Sequence, residues 1–159
     1  MINRPSNDSS LPAMIRKSQL IAAGIILGTT VLSFVAAAVG GSVRSATPVL
    51  AYLAVAFAAQ ITALRLFIPS MFVKSQLKAL KFQGASSIAE KLQELFQIRM
   101  IIAMALLVGA TLFNLIAYII NGQWFSLATA TFLVLLMVTL FPTARGFEKW
   151  VEEIDQLMN

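Results

Sequence analysis

The sequence predicts an all-α integral membrane protein, a four-helix bundle of two transmembrane hairpins. Composition is the first observation behind this fold class: 58% of the 159 residues are apolar and only 12% are charged, whereas soluble domains average about 25% charged residues. Charge spacing is the second. The charged residues separate three long uncharged stretches, and a helix needs about 20 apolar residues to cross the hydrocarbon core.

The first hairpin is predicted over residues 18–68, after a polar tail at residues 1–17. No charged residue lies between Lys17 and Arg44, and twenty uncharged residues separate Arg44 from Arg65. Each stretch is long enough for one span.

A cleaved signal peptide is the alternative for the N-terminal segment. Arg16 and Lys17 precede an apolar run that ends in Ala36-Ala37-Ala38, a pattern of small residues that cleavage sites share. The long polar lead and the length of the apolar run favour a retained span.

The second hairpin is predicted over residues 99–143. Forty-five uncharged residues follow Arg99, which is too long for one span and about right for two. The turn-forming triplet Asn121-Gly122-Gln123 divides them into halves of twenty-one residues. Four spans place both termini on one side, which holds eleven of the twelve basic residues, with Arg44 alone opposite. The positive-inside rule then predicts cytoplasmic termini.

The loop at residues 69–98 is predicted to be helical and cytoplasmic. Its first half is a basic amphipathic helix that ends before Gly84. The basic face consists of Lys74, Lys78 and Lys81. In its second half, Ser87 and Glu90 match a capping box, and an apolar stripe begins at Ile88. No breaker follows, so we expect one helix over about residues 88–120.

The C-terminal tail, residues 144–159, is predicted to form an amphipathic helix near the inner membrane interface. Phe147, Trp150 and Ile154 share its apolar face, and the net charge from Gly146 onward is −3. The basic face of the loop is the predicted partner of the acids. The alternative is a solvated charged face, because exposed ion pairs contribute only about 0–1 kcal/mol.

Small residues at helical spacings predict close helix packing within the membrane. Gly24 and Gly28 form a GxxxG pattern, and Ala36 and Gly40 repeat its spacing. The second span carries further small residues at Ala54, Ala58, Ala59 and Ala63. We expect these to serve packing inside one chain more than dimerisation.

Two amides lie within the predicted spans, Gln60 and Asn114. Amides are costly in lipid, so both are predicted to face the bundle interior. Asn114 is expected to bond Thr129 or Thr131 across the second hairpin, or a hydroxyl of the first span. A polar pathway is the alternative role.

Signatures of catalysis, cofactor binding and metal binding are absent from the sequence. The chain has no cysteine and no histidine, and no span carries a charge near its middle. A nucleic-acid surface needs aromatics among its basic residues, and the lysine helix offers only Phe72 and Phe82. We therefore expect no enzyme activity, no cofactor, no metal and no nucleic-acid partner.

The second half of the chain resembles a group of small, uncharacterised bacterial four-span inner-membrane proteins. The resemblance rests on ALLVGATLFNLIAYIINGQW and on TLFPTARGFEKWVEE after the last span, within residues 99–152. It implies a multi-pass protein of the bacterial inner (plasma) membrane.

Two function hypotheses follow from these expectations. The first is a non-enzymatic structural, scaffold or accessory protein whose cytoplasmic helices contact a membrane-protein partner or another copy. The second is an oligomeric transporter or channel subunit with a polar path at Gln60 and Asn114. A pore predicts that these amides share a hydrated cavity, whereas a scaffold predicts that they are buried in pairs.

Overall fold

Five α-helices make up the structure, a computed structural model that describes residues 10–40, 48–80 and 88–158. The helices are α1 (Ser10–Val39), α2 (Val49–Leu80), α3 (Ile88–Asn121), α4 (Trp124–Thr139) and α5 (Ala144–Met158). Within these ranges there is no β-strand. The predicted all-α class is confirmed.

The central element is α3, which packs against α1, α2 and α4. Both α1 and α2 also contact α4. In the described ranges, α1 and α2 pack on the α3–α4 pair and make little contact with each other. The second predicted hairpin corresponds to a packed pair, α3 and α4, whereas α1 and α2, which cover most of residues 18–68, each pack mainly against α3 and α4.

The core follows α3 in three layers. In the middle, Leu107 packs with Leu133 and Met137 of α4 and with Ala58 of α2. On one side Met104 meets Ala22 of α1. On the other, a layer formed by Ala36, Leu115 and Ala130 joins α1, α3 and α4. Small residues of α1 and α2 thus set the distance of both helices from α3.

Two helical segments are long and apolar enough to cross a membrane, Ile15–Val39 and Leu92–Asn121. A third candidate is the bent pair α4 and α5, whose axes differ by 76°. In α2 the apolar segment Val49–Arg65 is shorter. Large side chains such as Phe34, which is 73% exposed, cover the outer surface, as expected for a membrane protein facing lipid.

Helix boundaries differ from the sequence expectations in α1 and α2. The first helix begins at Ser10, inside the predicted polar tail. The second continues through Pro69 to Leu80, although proline lacks the amide hydrogen that a helix interior uses. The lysine segment is consequently a continuation of α2. Gly84 and Ser87, which were predicted to end and begin loop helices, lie outside the described residues.

The predicted long helix and the turn after it agree with the structure. Helix α3 covers Ile88–Asn121, against an expectation of about 88–120. Gly122 follows with a φ of 64°, and its amide donates to the Tyr118 carbonyl at 2.7 Å. This left-handed conformation favours glycine and lets α4 begin at once.

Candidate functional site

The most developed feature outside the bundle core is an aromatic junction formed by Phe96 of α3 with Phe147 and Trp150 of α5. The Phe96 and Phe147 ring centroids are 5.2 Å apart in an edge-to-face arrangement. The Phe96 and Trp150 centroids are 5.5 Å apart, and those of Phe147 and Trp150 are 6.1 Å apart. These distances are typical of favourable aromatic pairs. The junction fixes α5 against α3.

Local sequence signals place α5 in this position. Pro142 follows the end of α4, and Thr143 caps α5: its hydroxyl accepts the Gly146 amide at 3.1 Å. The side-chain amide of Gln19 in α1 donates to the Pro142 carbonyl at 3.1 Å. The bend between α4 and α5 is thereby tied to α1 as well as capped.

The two faces of α5 have opposite surroundings. Phe147, Trp150 and Ile154 are only 3–4% exposed. The other face is exposed and carries Arg145, Glu148, Lys149, Glu152 and Glu153. The apolar face of the tail is thus covered by its own chain, and the charged face points outward.

The predicted partner of the acids on this face is the basic face of the loop, formed by Lys74, Lys78 and Lys81. The side chains of Lys74 and Lys78 and the whole of Lys81 lie outside the described residues. Pairing of the basic face with the tail stays a prediction.

A crevice of about 260 Å³ lies beside the aromatic junction, where α4 bends into α5. Its lining includes Phe96 and Arg99 of α3 with Thr139, Phe141 and Thr143 of the bend. The crevice combines one cationic side chain with hydroxyls and rings, a mixture suited to a membrane interface.

Asn114 is fully buried between α3 and α2. Its Nδ2 donates to the Ala54 carbonyl of α2 at 3.0 Å and to the Ala110 carbonyl of α3 at 2.9 Å. Its Oδ1 is buried without a partner in the described part of the chain. Asn114 therefore joins helices as predicted, but the predicted hydroxyl partner is wrong. Thr129 and Thr131 bond carbonyls of their own helix instead.

Gln60 occupies a different environment from Asn114. It is exposed on the outer surface of α2, so the prediction that it faces the bundle interior is wrong. No hydrogen bond of its side chain is formed with any described residue. Asn114 is buried against the opposite side of α2. The two amides therefore share no cavity within one chain.

The predicted packing role of Gly24 and Gly28 is also wrong within the described chain. Both glycines are exposed, and a Cβ at either position would meet nothing within 4 Å. The second small-residue pattern of α1 is the one in use. Ala36 is buried, and a Cβ on Gly40 would lie 2.5 Å from Cε1 of Tyr118.

Sequence reasoning missed three further buried polar atoms. These are the hydroxyls of Ser18 and Ser126 and the Nη1 atom of Arg65, each without a hydrogen-bond partner among the described residues. Serine hydroxyls occur throughout such spans, so their positions gave no signal. No group of three or more acidic residues that could hold a metal ion occurs in the described ranges.

Comparisons with protein-family models, with curated proteins and with solved structures found no match to this chain.

Proposed function

We propose that the chain is a small, non-enzymatic, multi-pass membrane protein that acts as a scaffold or accessory subunit through its cytoplasmic helices. The aromatic junction carries this proposal. Because the junction holds the apolar face of α5 against α3, the face left for other molecules is charged, with Glu148, Glu152 and Glu153 exposed beside Arg145 and Lys149. A fixed helix with a charged outer face suits docking of a basic partner segment.

The topology we propose has four spans, α1 to α4, in a bacterial inner membrane with both termini cytoplasmic. The apolar lengths of α1 and α3 support it, as does the charge asymmetry around Arg44. The 76° bend supports an α5 that leaves the membrane direction and lies along the surface.

A reporter-fusion experiment tests this topology. A reporter fused after Asn159 is expected to read as cytoplasmic, and one inserted near Ser45 as external, because the eleven basic residues are retained inside. A cytoplasmic reading near Ser45 contradicts the four-span topology.

The alternative, an oligomeric transporter or channel subunit, requires one polar path through Gln60 and Asn114. The positions of these amides favour the scaffold. Asn114 is buried against Ala54, whereas Gln60 is exposed on the outer surface. The hydroxyls of Thr29, Thr62 and Thr111 bond carbonyls of their own helices, which leaves them less free to line a path.

The docking role is tested by affinity purification in mild detergent. Trp150→Ala removes one of the three rings of the aromatic junction. It is expected to lower the free energy of unfolding by about 3–5 kcal/mol, the usual cost of truncating a buried Trp. The triple variant Glu148→Gln, Glu152→Gln, Glu153→Gln keeps the junction but removes the acidic charge. Both are expected to lose a protein that co-purifies with the wild type.

Limited proteolysis separates the two variants. The tail of Trp150→Ala is expected to be cleaved at least about tenfold faster than that of the wild type, while the triple variant keeps its resistance. Leu135→Ala, on the exposed outer face of α4, is the matched control. Retention of every co-purifying protein by the triple variant contradicts docking through the acidic face.

A further inference from the structure

Helix α2 has two faces rich in small residues, and only one of them is used within the chain. The inner face consists of Ala51, Ala54 and Ala58, all buried. The outer face exposes Ala56, Ala59, Gln60 and Ala63. At 100° per residue these outer positions fall within a sector of about 100° on one side of the helix. The outer face therefore has a defined direction, away from α3.

Gln60 makes this outer face chemically distinct. It lies within the apolar part of α2, five residues before Arg65, and its neighbours on the helix surface are Ala56, Phe57, Ala63 and Leu64. Its amide has no hydrogen-bond partner among the described residues, and the hydrocarbon region of a bilayer supplies no water to bond it. A free amide at that depth is unfavourable, so a partner that supplies both a donor and an acceptor stabilises it.

A second copy of the same helix fits this requirement. A glutamine amide is donor and acceptor at once, so two Gln60 side chains related by a two-fold axis satisfy each other. The alanines allow the helix backbones to approach closely. Their spacing of three and then four residues, Ala56 to Ala59 to Ala63, matches the left-handed crossing of about 20° in which such rows interlock.

The rival surface is the exposed face of α1 around Gly24 and Gly28. It offers small residues, but its exposed neighbours are apolar side chains such as Leu20, Leu27 and Val31. Nothing in that face requires a polar partner. Lipid tails cover this apolar face as well as a second helix would.

We propose that the chain forms a two-fold dimer through α2, in which the Gln60 side chains hydrogen-bond each other between the packed alanines. The dimer rests on the proposed topology in one respect, the position of α2 in the bilayer. It does not depend on docking through α5.

Disulfide cross-linking tests this dimer directly because the chain has no cysteine of its own. Single substitutions Ala59→Cys and Ala63→Cys are expected to give covalent dimers on mild oxidation in lipid vesicles. Ala128→Cys, exposed on α4, and Ala23→Cys, exposed on α1, are the matched controls and are expected to stay monomeric. Cross-linking at Ala23 in place of Ala59, or to a different protein, overturns the proposal.

A second measurement tests whether the Gln60 amide stabilises the dimer. Energy transfer between labelled chains, followed as the lipid-to-protein ratio rises, gives the dissociation constant in vesicles. Gln60→Leu is expected to raise it about fivefold to tenfold, the effect of two interhelical hydrogen bonds in a membrane. Thr62→Val is the control, since the Thr62 hydroxyl bonds the Ala58 carbonyl of its own helix. Equal dissociation constants for Gln60→Leu and the wild type overturn the role of Gln60.

Labelling with a water-soluble maleimide distinguishes failure of the dimer from failure of the topology. If Ala59→Cys is protected from the reagent but does not cross-link, α2 lies in the bilayer and the dimer is wrong. If Ala59→Cys is labelled rapidly, α2 is not a span, and both proposals fail.

Discussion

Asn114 and Gln60 are the two amides that the sequence places within the predicted spans, and the structure gives them opposite surroundings. Asn114 is buried and donates to carbonyls of α2 and α3. Gln60 is exposed on the outside of α2. An amide in a span thus either fixes two helices of one chain or remains available for association between chains. Residue type alone does not decide which.

The rotation of α2 about its axis is the physical cause of this difference. Ala54, Ala58 and Ile61 are buried toward α3. At 100° per residue, Gln60 lies about 100° from Ile61 and about 160° from Ala58. The same rotation that brings the Ala54 carbonyl to Asn114 therefore turns Gln60 outward.

The largest expected effect on the free energy of unfolding comes from enlarging an alanine on the inner face of α2. Ala54→Ile introduces bulk where α2 meets α3 and is expected to lower the free energy of unfolding by about 1–3 kcal/mol. Ala63→Ile, on the outer face, is the matched control and is expected to leave it within about 0.5 kcal/mol. Reversible unfolding in mixed micelles measures both. Equal losses would show that both faces pack within one chain.

A smaller effect is expected from Asn114→Leu. The substitution keeps the side-chain volume similar but removes the bond to the Ala54 carbonyl, at a cost of about 1 kcal/mol or less. Thr111→Val is the control, because the Thr111 hydroxyl bonds only the Leu107 carbonyl of its own helix. A loss of transport activity at full stability would instead favour the channel hypothesis.

The sequence predicted α3 and α5 well because each carries a strong local signal. Asn121-Gly122 ends α3 with a glycine in the left-handed region. In α5 the apolar residues repeat on one face and the acids on the other, so burial of Phe147 and Trp150 follows from the pattern. Their aromatic partner Phe96 lies on the apolar stripe of α3.

The faces of α1 and α2 were not predictable in the same way. These spans are apolar all round, so hydrophobic periodicity carries no information about which side meets another helix. Ala54 and Ala59 are equally suited to close packing, and so are Gly28 and Gly40. Contacts with distant residues, the Asn114 amide and the Tyr118 ring, select one of each pair.

The smallest expected effect on the stability of a single chain is that of Gln60→Leu. Because Gln60 bonds no described residue, its removal is expected to leave the free energy of unfolding of the monomer unchanged or slightly raised. Unfolding at high detergent-to-protein ratio, where chains are separate, measures this. A loss as large as that of Asn114→Leu would mean that Gln60 has an intramolecular partner.

Collision accessibility of spin labels tests the contrast between the two amides most directly. The labels are attached through Gln60→Cys and Asn114→Cys in nanodiscs that hold one chain each. The label at position 60 is expected to collide readily with oxygen, which partitions into lipid, and rarely with a water-soluble nickel complex. The label at position 114 is expected to be shielded from both reagents. Equal shielding at the two positions, or access of the nickel complex to position 60, would contradict a lipid-facing Gln60 beside a closed Asn114.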